Sequence, residues 1–309
     1  MTLDRLNVAV LGPGGVGGFL ASMLAREGSS VLMLAGDSTS QAIAENGLRL
    51  ESPRFGNFTV SVRTAARLTD PVDACLITVK ATQLADALER VPADAIGRAL
   101  VIPFLNGIEH VDHLRTLYPA SNVVGATIRI ETAKLAAGLI RQISPFASVE
   151  IAASEDTRAR VDSIAAHLTA AGLDVRIRDD ERAMLWDKFA FLGPIALLTT
   201  HERANMGAIR TRRRNDAVAL IGEFASVAGA EGVDIDREAL LKRVDSLPES
   251  MESSMQRDQA AGRPLELDAL GGALLRRAAR AGIAAPVTRR LVDELGSRSG
   301  HPAPTGSES

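Results

Sequence analysis

The sequence has few of the residues that mark several classes of protein. Its only cysteine, Cys75, lies in an apolar run, so no intrachain disulfide can form and a buried core role is favoured over a nucleophilic one. Aromatic residues make up 3%, too few for a surface that stacks single-stranded bases. No apolar run approaches the roughly 20 residues that a membrane-spanning helix needs. With 35 basic and 38 acidic side chains, the formal net charge of −3 favours neither a nucleic-acid nor a membrane partner.

The composition is that of a globular protein. Hydrophobic residues make up 46% and charged residues 24%, which is enough apolar material to bury a core. A length of 309 residues favours two domains. The first apolar stretch, residues 8–11, leads directly into a glycine loop without a small-residue cleavage site. We interpret this stretch as a strand and expect the protein to be cytoplasmic.

The pattern of the chain changes near residue 180. Before it, short β-rich runs alternate with helical patterns, as in a parallel sheet with helices on both faces, and closely spaced runs after residue 123 indicate an antiparallel extension. Beyond it, nearly everything is typical of helix. We predict an α/β fold with three parts: a Rossmann-type doubly wound dinucleotide-binding domain (1–180), an all-helical substrate and catalytic domain (181–296) and a disordered tail (297–309). The candidate strands are residues 8–11, 31–34, 58–62, 74–79, 100–104, 123–130, 139–143, 148–151 and 174–177.

A glycine-rich motif separates the first predicted strand from an amphipathic helix. Its first glycine permits a tight turn, its second lets the backbone approach a pyrophosphate, and its third lets the helix pack closely on the sheet. The free N–H groups at the start of the helix then favour phosphate binding. Because G-x-G-x-x-G lies here between a strand and a helix, it predicts a dinucleotide site. Its residues are Gly12, Pro13, Gly14, Gly15, Val16 and Gly17.

Asp37 follows the second predicted strand, about 20 positions past the loop. An acidic residue there binds the ribose 2′-hydroxyl in NAD sites, and no arginine or lysine lies between residues 31 and 41 to meet a 2′-phosphate. Asp37 therefore favours NAD(H), although Gly-Asp-Ser is equally good turn chemistry. Arg54, or another basic residue from a different loop, is the alternative that would allow NADP(H).

Further motifs, spread over both predicted domains, resemble those of a known family. Lys80 ends a strand in Thr-Val-Lys-Ala-Thr-Gln, and Asn106 follows another strand in Asn-Gly-Ile. Lys188 lies in Trp-Asp-Lys-Phe, where the helical domain begins. Ser254, in Ser-Ser-Met, stands twelve positions before Glu266, in Leu-Glu-Leu-Asp. Over residues 7–295 the chain resembles the ketopantoate reductases (2-dehydropantoate 2-reductases).

The resemblance implies a role for each of these residues. Lys80 approaches cofactor and substrate, and Asn106 contacts the nicotinamide ribose and the substrate. Lys188 is the general acid, Ser254 binds substrate, and Glu266 is a catalytic carboxylate that also borders the cofactor. The resemblance also implies NADP or NAD as cofactor (mostly NADP), a homodimer, and a place in pantothenate biosynthesis. Without it, these residues have ordinary alternatives: solvated lysines, a turn, a capping serine and a surface acid.

The chain departs from the family on the helix that carries Lys188. The family has asparagines that hold substrate oxygens four and eight positions after the lysine, where this chain has Leu192 and Ala196. Those positions share the lysine's face of a helix. The family's Asn-Gly pair after the glutamate is replaced by Gly271-Gly272. We therefore expect a substrate other than ketopantoate.

Together these motifs predict an NAD(P)H-dependent reductase of a small-molecule 2-oxo acid, with no pattern that completes a metal site. The alternative enzyme is a related two-domain hydroxy- or amino-acid dehydrogenase. The alternative from another class is a non-catalytic dinucleotide-binding redox sensor. Leu192 and Ala196, which lack the family's amides, leave the sensor open as an alternative. The retained Lys188, Ser254 and Glu266 disfavour it.

Overall fold

A computed structural model describes residues 4–299 of the chain, and these fold into two units. The first unit comprises residues 4–105 and 110–184, and the second comprises residues 106–109 and 185–299. The predicted fold class is confirmed, since a parallel sheet and its connecting helices occupy the first unit and helices fill the second. None of the helices within residues 4–299 is both long and apolar enough to cross a membrane.

The first unit contains both strands and helices. They are β1 (Asn7–Leu11), α1 (Gly15–Glu27), β2 (Ser30–Leu34), α2 (Asp37–Asn46), β3 (Leu48–Glu51), β4 (Phe58–Val60), β5 (Arg63–Ala65), β6 (Ala74–Ile77), α3 (Leu84–Leu88), α4 (Ala93–Ile96), β7 (Leu100–Pro103), α5 (His110–Leu117), β8 (Ala126–Arg129), β9 (Thr132–Ala136), β10 (Leu139–Gln142), β11 (Ser148–Ala152), α6 (Arg158–Ala170) and β12 (Asp174–Arg178).

Five parallel strands form the central sheet, in the order β5-β2-β1-β6-β7. β6 and β7 are buried along their whole length, which explains their unbroken apolar sequences. Cys75 lies in β6, where burial raises the pKa of its thiol to about 12, so it is a core residue as predicted. Because β1 lies between β2 and β6, the carboxyl ends of these three strands meet at one edge of the sheet.

The strands predicted to extend this sheet form two smaller sheets instead, so that expectation was wrong. One sheet has the order β4-β3-β10-β9 and the other β12-β11-β8. β10 packs on α1, and a Cβ atom on Gly18 would lie 2.5 Å from the side chain of Ile140. The outer face of α1 is thus covered by β10, which cannot also pair with the central sheet. The sequence patterns did not predict α2, β3, β5 or β9. These elements are short, and most of their residues are polar or small.

A buried glutamate joins two arginines across the three-stranded sheet. Glu150 of β11 is 6% exposed and accepts hydrogen bonds from Arg129 of β8 at 2.6 Å and from Arg178 of β12 at 2.9 Å. Burial opposes ionisation of this carboxyl, but the hydrogen bonds and charges of Arg129 and Arg178 outweigh burial and lower the pKa of Glu150. The three charges therefore tie both outer strands to β11.

The second unit is built on α7, which is anchored by aromatic side chains. Trp186 is fully buried, and its indole N–H donates to Glu231 at 2.9 Å. The ring of Phe189 meets Trp186 edge-on at 5.4 Å between centroids and lies 5.1 Å from Phe224. These contacts fix the rotation of α7 about its own axis. The helices here are α7 (Glu181–Glu202), α8 (Met206–Arg212), α9 (Arg214–Ala230), α10 (Arg237–Asp245), α11 (Ser254–Ala260), a π-helical turn (Asp268–Gly272), α12 (Ala273–Ala281) and α13 (Pro286–Ser299).

Two features differ from the predicted domain limits. Residues 106–109 group with the helical unit although they follow β7 in the chain. α13 extends to Ser299, so the first three residues of the predicted disordered tail are helical. The remainder of that tail, residues 300–309, lies outside the described residues.

Replacing Glu150 with glutamine should destabilise the protein in a pH-dependent manner. A carboxyl whose pKa is lowered by folding stabilises the folded state above its unfolded pKa, about 4.3 for glutamate, and this contribution is lost as the pH falls through the folded value. We expect Glu150→Gln to cost about 3 kcal/mol at pH 7, and this cost to shrink progressively as the pH falls below about 4.3. Denaturant midpoints of parent and variant across this range provide the measurement.

The matched control is Glu51→Gln, which removes an exposed cross-strand pair with Arg141. Such surface pairs contribute about 0–1 kcal/mol. A gap between Glu150→Gln and the parent that stays constant from pH 7 to pH 3.5 would contradict the ionic role of Glu150.

Candidate active site

The glycine loop between β1 and α1 requires glycine at two positions. Gly12 has a φ of +109°, a conformation that side chains rarely adopt. A Cβ atom on Gly17 would collide with the carbonyl oxygen of Gly12 and with the hydroxyl of Thr78. That hydroxyl is hydrogen-bonded to the carbonyl oxygens of Leu11 and Gly12, at 2.8 and 3.0 Å. The start of α1 is therefore held closely against the ends of β1 and β6.

The middle of the loop leaves room for a ligand. Gly14 is the N-cap of α1 with extended backbone, and nothing lies within 4 Å of the position that its Cβ atom would take. No side-chain hydrogen bond from within residues 4–299 caps α1 at this position. An open backbone ahead of an uncapped helix start fits the pyrophosphate of a dinucleotide. Pro13, Gly15 and Val16 complete the loop, each partly exposed.

Lys80 lies at the same edge of the sheet as the glycine loop. It follows β6 by three residues, is partly exposed, and precedes a 3₁₀ turn, Ala81–Gln83. Because β6 pairs in parallel with β1, the segment of Lys80 and the loop both continue from strand ends at that edge. In doubly wound sheets, ligands bind outside the carboxyl ends of the strands.

Asp37 is the first residue of α2 and is exposed. The sequence left a turn role open for it, whereas the structure places it in the first helical turn, where a carboxylate is favoured by the helix dipole. Its position just past β2 is also where a ribose hydroxyl is bound in such folds. Arg54, named as a partner for a 2′-phosphate, is engaged elsewhere: it pairs with Asp174 at 3.0 Å and donates to the carbonyl oxygen of Gly172 at 3.0 Å.

In the second unit, Asn106 and Glu266 are brought into contact although 160 positions separate them. The side-chain amide of Asn106 donates to the carboxylate of Glu266 at 3.0 Å. Glu266 is 5% exposed and lies just before the π-helical turn. Since a carboxylate only accepts hydrogen bonds, the amide nitrogen of Asn106 faces Glu266 and its oxygen points away.

Sequence reasoning missed the residues that hold Asn106 in place. Gly107 has a φ of +93°, and a Cβ atom there would lie 2.6 Å from the carbonyl oxygen of Ala269. Glu109 accepts hydrogen bonds from Arg276, the shortest at 2.7 Å, and Arg276 also binds Asp268 at 2.7 Å. These bonds to Asp268 and Glu109 raise the pKa of Arg276 further above its ordinary value. An Asn-Gly pair followed by an acid is the sequence signal, but nothing in it identifies the distant arginine.

Lys188 lies in the second turn of α7 and is partly exposed. Trp186 and Phe189, on either side of it in sequence, are buried in the aromatic contacts described above. Asp187 pairs with Arg243 of α10 at 2.8 Å. Because these neighbouring side chains each have a partner, the side of α7 on which the Cα of Lys188 lies is fixed.

The positions four and eight residues after Lys188 are apolar, as the sequence indicated. Leu192 is partly exposed and Ala196 is 2% exposed. Pro194 lies inside α7 without ending it. Asn205, the next asparagine along the chain, uses its side-chain oxygen to accept from the N–H of Ala208 and so caps α8. It therefore does not replace the missing amides of α7.

The paired serines before α11 have different roles. Ser253 is buried and caps α11 by accepting from the N–H of Gln256 at 3.1 Å. The hydroxyl of Thr199, on α7, donates to Ser253 at 2.8 Å. Ser254, the predicted substrate ligand, is exposed at the first position of α11. Thr199 stands about three turns after Lys188, on the same side of α7, so α11 begins on that side.

The predicted site residues are divided between the units. The glycine loop, Asp37 and Lys80 belong to the first unit, and the other four belong to the second: Asn106, Lys188, Ser254 and Glu266. Among these, the structure shows direct contact between Asn106 and Glu266. Within residues 4–299, no group of three or more His, Cys, Asp or Glu side chains could hold a metal ion.

Comparison with known proteins finds similarity over nearly the whole length of this chain. Residues 8–155 match the family model described as Ketopantoate reductase PanE/ApbA, and residues 180–298 match that of its C-terminal part. An uncharacterized oxidoreductase of Bacillus subtilis, YkpB, is 31% identical over 94% of this chain and 98% of its own.

Two further proteins are similar to this chain. A 2-dehydropantoate 2-reductase of Mycobacterium tuberculosis is 30% identical over 96% of this chain and 99% of its own. A crystal structure of a PanE/ApbA family ketopantoate reductase from Ralstonia eutropha superposes with a TM-score of 0.85 at 28% identity, covering 96% of this chain and 100% of that one.

Gly14→Val tests the open loop. The space around Gly14 accepts a side chain without internal clashes, so stability should change by less than about 1 kcal/mol. A valine there would occupy the place of a pyrophosphate, and we expect dinucleotide affinity to fall about tenfold or more. Calorimetric titration and thermal unfolding measure the two effects.

Gly229→Val is the control, because Gly229 likewise has nothing within 4 Å of its Cβ position but lies on α9. A folded Gly14→Val protein that binds the dinucleotide as tightly as Gly229→Val would remove the loop from the site.

Proposed function

Because the chain belongs to the ketopantoate reductase family and is an NAD(P)-dependent oxidoreductase, we propose that it reduces a 2-oxo acid with an apolar side chain. The observation that carries this proposal is the apolar stretch that follows Lys188 on α7. Leu192 and Ala196 share the face of Lys188 and offer no hydrogen-bonding group. A buried substrate hydroxyl without a partner costs roughly 1–3 kcal/mol. An apolar tail beside the 2-oxo acid group avoids that cost.

The proposed general acid is Lys188. The bound nicotinamide supplies the hydride that adds to the substrate's carbonyl carbon. As negative charge develops on the carbonyl oxygen, the ammonium group of Lys188 donates a proton to it, a contribution of typically 10²- to 10⁴-fold. The anchoring of α7 by Trp186 and Phe189 fixes the rotation of the helix, and so the side of α7 from which Lys188 projects.

The remaining polar residues bind and orient. Ser254 offers an exposed hydroxyl for the substrate's carboxylate or a neighbouring oxygen. Lys80 offers positive charge at the edge of the sheet where the glycine loop lies. Glu266 acts through Asn106. By accepting from the amide nitrogen, it turns the oxygen of Asn106 toward a ribose or product hydroxyl. Glu266 is therefore a positioning residue, which orients Asn106 and does not itself contact the substrate.

One experiment separates the reductase from a redox sensor and from an amino-acid dehydrogenase. Oxidation of NADPH and NADH is measured with a panel of 2-oxo acids, and the corresponding 2-hydroxy and 2-amino acids are assayed in the oxidative direction. A redox sensor would bind dinucleotide but turn over none of these compounds, and an amino-acid dehydrogenase would need ammonia with the oxo acid. Turnover of 2-oxo acids without ammonia is the result we expect.

Ketopantoate should be a poor substrate beside 2-oxo acids with apolar tails. Its terminal hydroxyl finds no amide at Leu192 or Ala196, which corresponds to a loss of about ten- to a hundredfold in kcat/KM. A value near 10⁵ M⁻¹s⁻¹ for ketopantoate, ordinary for an enzyme on its own substrate, would refute the expectation. Leu192→Asn should improve kcat/KM for ketopantoate and lower it for apolar-tailed acids, because the new amide can pair with the hydroxyl.

Lys188→Ala should lower kcat by about 10²-fold or more while leaving dinucleotide affinity nearly unchanged, because the lysine acts on the transition state. Lys242→Ala is the control, since Lys242 is an exposed lysine on α10 of the same unit. Steady-state kinetics and cofactor titration are compared for both variants. Equal turnover of Lys188→Ala and Lys242→Ala would exclude Lys188 from the chemistry.

A further inference from the structure

Arg90 lies beside the end of β2, although it is more than 50 residues away in the chain. Its Nη1 donates to the carbonyl oxygen of Ala35 at 3.3 Å and to that of Ala66 at 2.8 Å. Ala35 and Ala66 are the residues that directly follow β2 and β5. The guanidinium group therefore spans the carboxyl ends of two adjacent strands, at the edge where the glycine loop begins.

Hydrogen bonds within the first unit hold Arg90 in place. Its backbone N–H donates to Ala87 at 3.1 Å, and its carbonyl oxygen accepts from Leu68 at 2.8 Å. Both side-chain hydrogen bonds leave from Nη1, while Nη2 lies 3.9 Å from where a Cβ atom on Gly36 would be. Within residues 4–299, no carboxylate lies within ion-pair distance of this guanidinium. The cation thus adjoins the turn between β2 and α2 with its charge unneutralised.

We propose that Arg90 binds the 2′-phosphate of NADP(H) and makes this dinucleotide the preferred cofactor. In doubly wound folds the adenosine ribose is bound just past the second strand, where an acidic side chain contacts a 2′-hydroxyl or an arginine accommodates a 2′-phosphate. Guanidinium groups bind phosphate by parallel charge-assisted hydrogen bonds. The proposal rests on the dinucleotide role of the first unit and is independent of the oxo acid.

Asp37 does not oppose this assignment. Its carboxylate is exposed, so water screens its repulsion of a phosphate and its side chain can turn outward. Arg90 is partly buried and held by four hydrogen bonds, so its charge stays beside Gly36. The preference for NAD(H) expected from residues 31–41 considered only the local sequence, which contains no cation.

The test compares dinucleotides that differ only in the 2′-phosphate. NADPH and NADH are titrated into the parent, Arg90→Ala and Arg90→Lys, with calorimetric detection and no substrate present. We expect the parent to bind NADPH more tightly than NADH. Arg90→Ala should weaken NADPH about ten- to a hundredfold and change NADH less than about threefold. Arg90→Lys should retain part of the preference for NADPH, because lysine keeps the positive charge but lacks the planar guanidinium group that forms paired hydrogen bonds with phosphate.

The ratio of the two affinities separates phosphate binding from a merely structural role. Loss of the hydrogen bonds to Ala35 and Ala66 alone would weaken both dinucleotides equally, and that result would overturn the proposal, as would a parent that prefers NADH. Arg63→Ala is the matched control, because Arg63 begins β5 in the same sheet and pairs with Asp70. Failure of oxo-acid turnover with an intact NADPH preference would count against the proposed substrate and leave the assignment of Arg90 standing.

Discussion

The first unit depends on the close approach of Gly17 to the carbonyl oxygen of Gly12 and the hydroxyl of Thr78. That hydroxyl is hydrogen-bonded to the last residue of β1 and to the first of the loop, so β1, β6 and α1 meet at one point. Any side chain at position 17 would push α1 off the sheet. The open backbone at Gly14 and the position of Lys80, two residues past Thr78, both follow from this contact.

A comparable constraint organises the second unit. The segment 106–109 is held by Gly107 against Ala269 and by Glu109 to Arg276, so Asn106 meets Glu266 in a single geometry. These contacts are made by backbone and charged groups of the protein, none of which lies on α7. We therefore expect substitution at position 192 of α7 to alter which molecule is bound while Asn106 and Glu266 stay in place.

Sequence patterns located the strands that are buried along most or all of their length. After Asn7 of β1 and Ser30 of β2, the strands β1, β2, β6 and β7 are apolar throughout, and the glycine loop is recognisable from its composition. α2 was missed because Asp-Ser-Thr-Ser at its start is equally good turn sequence. Ser254 was chosen by family spacing, but nothing local shows that its neighbour Ser253 would be the cap and would bind Thr199. Partners such as Arg276 and Thr199 are set by tertiary packing, which no single-sequence pattern encodes.

The end of β2 shows why a local motif gives an incomplete account of charge. In the sequence, β2 is followed by Ala-Gly-Asp, a segment whose only charged side chain is acidic. In the folded unit, the segment after α3 returns to this edge and places the guanidinium of Arg90 beside Gly36. A phosphate responds to the field of every nearby group, and a partly buried charge acts more strongly than an exposed one because water screens it less. The positive charge beside this position is therefore contributed by a segment that the motif does not contain.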